Sequence, residues 1–199
     1  MIKTIVFDVC EVIWYHLPLR KIFYARVADY LNQDIETVMH DFEIRYPAME
    51  RDESTLLDWF KQKKANASQS DIDKILDDIY KDENFVKYFD FDVISIIKNL
   101  QKTYKVGCLS NLENYHSKYF NKHIAPLFDY AIFSCDVASR KPEPEIYQEI
   151  FKHVPCQPAE VIFTDNQESK LVTARNIGIN CIHFISPEDL KNQLTTLLI

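Results

Sequence analysis

The sequence predicts an α/β protein, with a parallel β-sheet covered by helices on both faces and a helical insert after the first strand. Three observations support this prediction. Short apolar, β-branched runs alternate with amphipathic helical patterns, polar residues follow several of those runs, and one long stretch contains helical patterns alone. Because ligands bind at the carboxyl ends of the strands in such sheets, those polar residues mark the expected site.

The first predicted strand is residues 2–7, which read IKTIVF and end at Asp8. Four more apolar runs have the length and composition of buried strands, at 105–109, 130–133, 161–163 and 180–184. Ser110 and Asn111 follow the second strand, and Asp165 closely follows the fourth. We therefore expect Asp8, Ser110 and Asp165 to meet at one edge of the sheet.

Helical patterns lie between the later strands. Apolar residues recur at helical spacing in three segments, 92–101, 144–153 and 167–177. A last helix is predicted to begin after Ser186, which can serve as its N-cap. Pro187 at its first position and the acids Glu188 and Asp189 in its first turn support this prediction. This alternation of strand and helix is typical of a parallel sheet.

The insert covers residues 17–89, where no convincing strand pattern occurs. Amphipathic helices are predicted at 21–31, 35–44, 55–64 and 72–80. The polar stretch KKANASQSD is predicted to be a loop between two of them. A helical bundle inserted into an α/β core is the natural interpretation.

Composition excludes several classes of function. The 199 residues are 47% hydrophobic and 27% charged, which is the balance of a soluble globular protein. A net charge of −7 disfavours non-specific binding to nucleic acid or acidic lipid. No signal peptide or membrane span is expected, and five scattered cysteines without a CxxC pair predict neither disulfides nor zinc. These features favour a cytoplasmic protein.

Glycine is scarce, and this limits how phosphate could be bound. Gly107 and Gly178 are the only two glycines in the chain. Both the GxGxxG dinucleotide motif and the GxxxxGK[ST] phosphate loop need more glycine, so neither is present. A phosphate-handling protein with this sequence must use another device.

Four motifs, in chain order, resemble those of the haloacid dehalogenase (HAD) superfamily. They are IVFDVCEVIW around Asp8, LSN at 109–111, RKPEPEIYQEIF from Arg140, and VIFTDNQESKLVTARNIGI around Asp165. The first motif is similar to the FDLGNV type found in small sugar-phosphate phosphatases. The resemblance implies a Rossmann-like core formed by residues 1–16 and 90–199, with residues 17–89 as a helical cap domain.

The resemblance also implies a role for each motif residue. Asp8 would be the nucleophile, forming an aspartyl-phosphate that water then hydrolyses. Ser110, through its hydroxyl, and Asn111, through its backbone N–H, would hold phosphoryl oxygens. Lys141 would neutralise charge between the nucleophile and the phosphoryl group.

A magnesium ion is the implied cofactor. Its ligands would be Asp8, the backbone carbonyl of Cys10, and Asp165, with water and phosphate completing an octahedron. The implied substrate is a small phosphorylated metabolite selected by the cap, with no nucleic acid or membrane partner. The oligomeric state is left open.

Two departures from the family pattern weaken the expected activity. Cys10 replaces the aspartate that protonates the leaving group in many relatives, a role worth 10²–10⁴-fold in rate. Thr164 and Ser169 stand where relatives often carry a further acid, and Asn166 could offer an amide oxygen to the metal instead. Phosphatases of the FDLGNV type also lack the first of these acids.

Two alternatives to a phosphatase remain open. A 2-haloacid dehalogenase needs neither metal nor general acid, but uses a cap arginine, for which the candidates are Arg20, Arg26, Arg45 and Arg51. A catalytically weakened binding protein on the same scaffold is the other alternative. Trp14, Tyr15 and His16 follow the first motif, and they either line the pocket or pack in the core.

Overall fold

The computed structural model describes residues 1–198, which fold around one parallel five-stranded sheet. The strands are β1 (Thr4–Phe7), β2 (Lys105–Ser110), β3 (Tyr130–Phe133), β4 (Val161–Asp165) and β5 (Asn180–His183). Their spatial order is β3-β2-β1-β4-β5, and each neighbouring pair is parallel. The predicted fold class, a Rossmann-like sheet with helices, is confirmed.

Strand β1 is central, and its position explains where Asp8 lies. Phe7 is in register with Cys108 of β2 and with Thr164 of β4. The backbone N–H of Asp8 donates to the carbonyl of Thr164 at 2.8 Å. The carboxyl ends of three adjacent strands are therefore level, so the residues that follow them meet at one edge of the sheet.

Five helices follow β1 before the chain returns to the sheet. They are α1 (Leu17–Leu31), α2 (Ile35–Glu50), α3 (Leu56–Lys63), α4 (Gln69–Ile79) and α5 (Asp82–Lys87). Four of them match the helices predicted for this segment. The fifth, α5, is too short to show an amphipathic repeat and was missed.

Two of these helices differ from prediction at their ends. Helix α2 continues from the predicted end at residue 44 to Glu50, with Pro47 inside it. Proline removes one backbone donor but leaves the helix intact here. Helix α4 begins at Gln69, because Ser68 caps it by accepting from the N–H of Asp71, so the last part of KKANASQSD is helical rather than loop.

The chain enters and leaves the five-helix segment side by side. The N–H of Tyr15 donates to the carbonyl of Tyr88 at 2.9 Å, and the N–H of Asp90 donates to the carbonyl of Ile13 at 2.8 Å. Between these bonds the Trp14 indole stacks on Phe85, with ring centroids 4.2 Å apart. The two crossing segments are thus joined by backbone hydrogen bonds and a buried aromatic pair.

The rest of the chain alternates strands and helices. Its helices are α6 (Phe91–Leu100), α7 (Asn114–His123), α8 (Ser134–Val137), α9 (Pro144–Gln148), α10 (Ile150–His153), α11 (Glu168–Asn176) and α12 (Pro187–Leu197). Ser186 caps α12 as predicted, by accepting from the N–H of Asp189. The single helix predicted over 144–153 is two, separated at Glu149, and the polar α7 and the short α8 were missed.

Apolar side chains fill both faces of the sheet. One cluster includes Ile5 and Phe7 and runs on into the five-helix segment, and another lies around Val6 and Phe163. Between residues 1 and 198 all five cysteines are free. Over the same residues, no helix combines the length and the hydropathy needed to cross a membrane.

Candidate active site

Four of the predicted site residues lie together at the carboxyl edge of the sheet. Asp8 follows β1, Ser110 ends β2 and Asp165 ends β4, while Lys141 comes from the loop between α8 and α9. All four side chains are nearly inaccessible to solvent, with Asp8 2% exposed and Lys141 fully buried. The sequence prediction that these residues share one site agrees with their positions.

Lys141 is the centre of this group. Its Nζ lies 2.7 Å from Asp8 Oδ1 and 2.9 Å from Asp165 Oδ2, and it donates to the carbonyl of Leu109 at 2.8 Å. Three acceptors thus use the three donors of one ammonium group. Because a buried carboxylate would be costly without a cation, the ammonium group of Lys141 stabilises the acids on either side of it.

The side chain of Asn111 makes two hydrogen bonds to the backbone of Lys141. Its Oδ1 accepts from the N–H of Lys141 at 2.7 Å, and its Nδ2 donates to the Lys141 carbonyl at 3.0 Å. The Lys141–Pro142 peptide bond within this loop is cis. The side chain of Asn111 therefore positions Lys141, a role that the sequence did not suggest.

The two carboxylates differ in their readiness to bind a proton. Burial raises the pKa of Asp8, but Lys141 and Lys170 outweigh burial, so its pKa is lower than the ordinary value. Burial and the charge of Asp8 raise the pKa of Asp165. Burial alone would lower the pKa of Lys141, but Asp165 and Asp8 raise it, so the ammonium stays charged. Asp8 is thereby kept as a carboxylate, the form required of a nucleophile.

A second lysine approaches Asp8 from helix α11. Lys170 Nζ lies 3.8 Å from Asp8 Oδ2, which is too long for a hydrogen bond but close for two charges. Asp8 Oδ2 is buried and makes no hydrogen bond to any residue from 1 to 198. One oxygen of Asp8 is thus fixed by Lys141, and the other is free of hydrogen bonds beside a cation.

Asp8 opens onto a cavity of about 230 Å³ between the sheet edge and helices α1 and α2. One side, here called the core wall, is formed by Asp8, Cys10, Ser110, Asn111, Arg140, Gln167 and Lys170. The opposite side, here called the helical wall, is formed by His16, Arg20, Glu43, Tyr46 and Glu50. The cavity is therefore polar, and both signs of charge face it.

The helical wall is organised by ion pairs. Arg20 pairs with Glu43, and the Tyr24 hydroxyl donates to the same carboxylate at 2.7 Å. Glu50 pairs with Arg140 of the core wall, so this pair bridges the two walls. The contact between Glu50 and Arg140 thus joins the two walls.

Magnesium is the ion that the resemblance implies, and the buried oxygen atoms fit it. Asp8 Oδ2 and Asn166 Oδ1 are buried acceptors without hydrogen-bond partners in the described chain. Oxygen ligands of this kind suit a hard cation. The described residues contain no group of three His, Cys, Asp or Glu side chains suited to a metal, but the expected set needs only two carboxylates and a backbone carbonyl.

Several residues of the cavity were missed from the sequence. Lys170 had a signal, since it lies in the first turn of the helix that follows β4, and Arg140 directly precedes Lys141. No feature of the sequence pointed to Glu50, because the predicted helix ended before it. Of Trp14, Tyr15 and His16, His16 lines the cavity. Trp14 is in the core, and the Tyr15 hydroxyl binds Asp90.

The dehalogenase alternative placed an arginine of the cap at the substrate. Among its candidates Arg20 lines the cavity, and it is already paired with Glu43. The other three do not line the cavity: Arg26 pairs with Asp78, Arg45 with Asp41, and Arg51 with Glu53 and Glu143.

Solved structures share this fold over nearly the whole chain. A predicted HAD-like family hydrolase from Porphyromonas gingivalis superposes with a TM-score of 0.75 at 20% identity, covering 100% of this chain and 98% of the other. A HAD family enzyme from Bacteroides thetaiotaomicron, solved as a magnesium complex, gives 0.75 at 21% identity over 97% and 98%. At such identities the likeness concerns the fold alone.

Curated relatives match over shorter stretches. The D-ribitol-5-phosphate phosphatase of Bacteroides thetaiotaomicron is 26% identical over 122 residues, which are 57% of this chain and 59% of that protein. The chain spans between 7% and 26% of the length of five other curated relatives that it matches. A profile described as haloacid dehalogenase-like hydrolase matches residues 20–184, most of the chain. The chain therefore belongs to the haloacid dehalogenase-like hydrolase family.

Proposed function

We propose that this protein is a phosphatase that cleaves small phosphate monoesters through a phosphorylated Asp8. The observation that carries the proposal is the state of Asp8: a buried carboxylate held by Lys141, with its second oxygen free of hydrogen bonds at a cavity. A nucleophile must be ionised and must face the substrate, and Asp8 meets both conditions.

The core wall is suited to a phosphoryl group. Arg140 and Lys170 add positive charge beside Asp8, and Ser110 and Asn111 follow the neighbouring strand. These groups would bind the phosphoryl oxygens, while Lys141 holds Asp8 in position from behind. The phosphoryl group would pass to Asp8, and water would then release it as inorganic phosphate.

Magnesium is the proposed cofactor, held by Asp8, the backbone carbonyl of Cys10 and Asp165, with Asn166 as a further oxygen donor. When bound, it would supply a Lewis acid that neutralises charge on the phosphoryl oxygens. The magnesium complex of the structural relative from Bacteroides thetaiotaomicron supports this assignment. Lys170 lies close to the same oxygen of Asp8, so we expect weak magnesium affinity.

Residues 17–89 are proposed to act as a cap over a core of residues 1–16 and 90–199. The paired crossing segments around Tyr15 and Tyr88 support these boundaries, since the chain passes there from one part to the other and back. The helical wall comes from residues 16–50 and would contact the part of the substrate beyond the phosphate. Its paired charges and its tyrosine suit hydroxyl groups, as in a sugar or polyol phosphate.

The test is hydrolysis of an aryl phosphate with magnesium and with EDTA. An aryl leaving group departs without a proton, so the assay is independent of the acid lost at Cys10. We expect turnover that needs both the metal and Asp8, and an Asp8→Asn variant should be inactive. Asp78→Asn, which changes an exposed carboxylate of helix α4, is the matched control and should keep full activity.

No turnover above the Asp8→Asn background would refute the phosphatase proposal. Hydrolysis of a 2-haloacid without metal would then identify a dehalogenase, for which the Lys170 charge near Asp8 is the one favourable observation. Binding of phosphate without any turnover would instead identify a binding protein on the same fold.

A further inference from the structure

Glu50 is the one carboxylate of the helical wall that is deeply buried and in contact with the core. It is the last residue of α2, is 3% exposed, and lines the same cavity as Asp8. Its Oε2 accepts from Arg140 Nε and lies 3.5 Å from Asn111 Nδ2. Its other oxygen, Oε1, makes no hydrogen bond to residues 1–198, so it is available to a ligand in the cavity.

The site lacks an obvious proton donor for an alkyl leaving group. Cys10 stands where many relatives have an acid, and a thiol is a poor general acid for an alkoxide leaving group. The remaining side chains of the core wall are cations and amides, apart from Asp8 and the hydroxyl of Ser110.

We propose that Glu50 is the general acid and base of this site, donating a proton to the leaving alkoxide from across the cavity. The proposal rests on the phosphatase function proposed above. It assigns the acid to the helical wall, where the alcohol part of the substrate would lie, rather than to the chain segment that follows the nucleophile.

The proton balance of the two steps is simple. In the first step a bond forms between Asp8 and phosphorus, the P–O bond to the alcohol breaks, and the protonated Glu50 gives its proton to the departing oxygen. In the second step the Glu50 carboxylate takes a proton from water as the water oxygen attacks phosphorus. The bond between phosphorus and Asp8 then breaks, and Glu50 is again protonated for the next turnover.

The surroundings of Glu50 bring the pKa of its carboxyl close to neutral pH. Burial and the charge of Glu113 raise its pKa to about 7, although Arg140 and Lys170 act in the opposite direction. Tyr46 and Arg51 of the same helix end are the other ionisable groups coupled to it. A group with a pKa near the working pH can both donate and accept a proton within one cycle.

A purely structural role is the competing explanation, because the pair of Glu50 with Arg140 also ties the two walls together. The two roles differ in their dependence on the leaving group. A structural defect slows the first step for all substrates, whereas loss of the acid slows the first step only for substrates whose leaving group needs a proton.

The test compares two substrates in a Glu50→Gln variant, with glycerol 2-phosphate as the alkyl ester and p-nitrophenyl phosphate as the aryl ester. We expect kcat/KM for the alkyl ester to fall about 100-fold or more, and kcat/KM for the aryl ester, which reports only the steps up to release of the leaving group, to change by less than about threefold. Glu53→Gln alters an exposed carboxylate three residues away and should change neither substrate.

The pH profile gives an independent check. Because the first step needs the protonated carboxyl, kcat/KM of the wild type for the alkyl ester should fall as the pH rises above about 7. This fall in kcat/KM at high pH should be absent from the Glu50→Gln variant and from the reaction of the aryl ester. Equal loss of kcat/KM on both esters, or no loss on either, would overturn the role of Glu50 while leaving the phosphatase intact. Absence of wild-type aryl turnover would instead overturn the proposed function itself.

Discussion

The two walls of the cavity differ in how the fold places their residues. On the core wall, Asp8 directly follows β1 and Ser110 ends β2, and the register of these adjacent strands is fixed by the sheet. On the helical wall, Arg20, Glu43 and Glu50 project from two helices of the inserted segment. In the proposed function, the core wall carries the chemistry, whereas the helical wall selects the substrate and, through Glu50, supplies a proton.

Replacing Lys141 by Met should have the largest effect, because it removes the cation shared by two buried carboxylates. We expect kcat on an aryl phosphate to fall by about 10³-fold. The free energy of unfolding should fall by about 3 kcal/mol, since Asp8 and Asp165 would be left close together without Lys141. Urea unfolding and steady-state kinetics measure the two effects.

The matched control for that variant is Lys152→Met, which removes a lysine that is 71% exposed. It should leave both activity and stability nearly unchanged. If Lys141→Met kept its activity, the core wall would not carry the chemistry in the way described here.

Replacing Asn111 by Ala should come next. It removes both side-chain hydrogen bonds to the backbone of Lys141 but keeps the N–H at residue 111. We expect kcat to fall about tenfold to 100-fold, because two buried hydrogen bonds worth about 1 kcal/mol each position the lysine. An unchanged kcat would show that the Lys141 loop is held without Asn111, and that the N–H alone matters.

Lys170→Met should change the metal response rather than abolish turnover. The lysine charge 3.8 Å from Asp8 Oδ2 competes with any cation at that oxygen. Removing it should tighten magnesium binding by about tenfold, an estimate that allows for strong screening of the Coulomb energy. A magnesium titration of activity measures this, and weaker apparent binding in the variant would mean that Lys170 helps to bind the phosphorylated substrate instead.

Glu43→Gln should have the smallest effect, and it tests the helical wall. Releasing Arg20 from its partner should raise KM for the preferred substrate by a few-fold while kcat stays constant, the signature of lost uniform binding. A fall in kcat on an aryl phosphate would show that the helical wall also shapes the chemistry of the nucleophile.

The residues at the strand ends could be predicted well because their positions follow from strand periodicity. Asp8, Ser110 and Asp165 were expected at strand ends, and β1, β2 and β4 end where expected or within two residues. Parallel strands in register then bring those ends together without further information. Lys141 was predicted as a site residue only from the resemblance of its motif to the family, since nothing else in its loop indicates that its side chain is buried.

The helical wall could not be predicted, and Glu50 shows why. The helical pattern was predicted to end at residue 44, yet α2 continues through Pro47 to Glu50 and brings that side chain to the cavity. Whether a glutamate is exposed or buried depends on how the helices pack on the core. Local sequence periodicity does not predict that packing. Lys170 was missed for a related reason, because its reach to Asp8 depends on the direction of α11.

The central claim is that the phosphoryl group is transferred to Asp8, and acid quenching during turnover tests it most directly. Mass spectrometry of the digested protein should find one phosphoryl group on the peptide that contains Asp8, formed only with substrate and absent from Asp8→Asn. Turnover of the wild type without that modified peptide, together with retained activity in Asp8→Asn, would contradict the account.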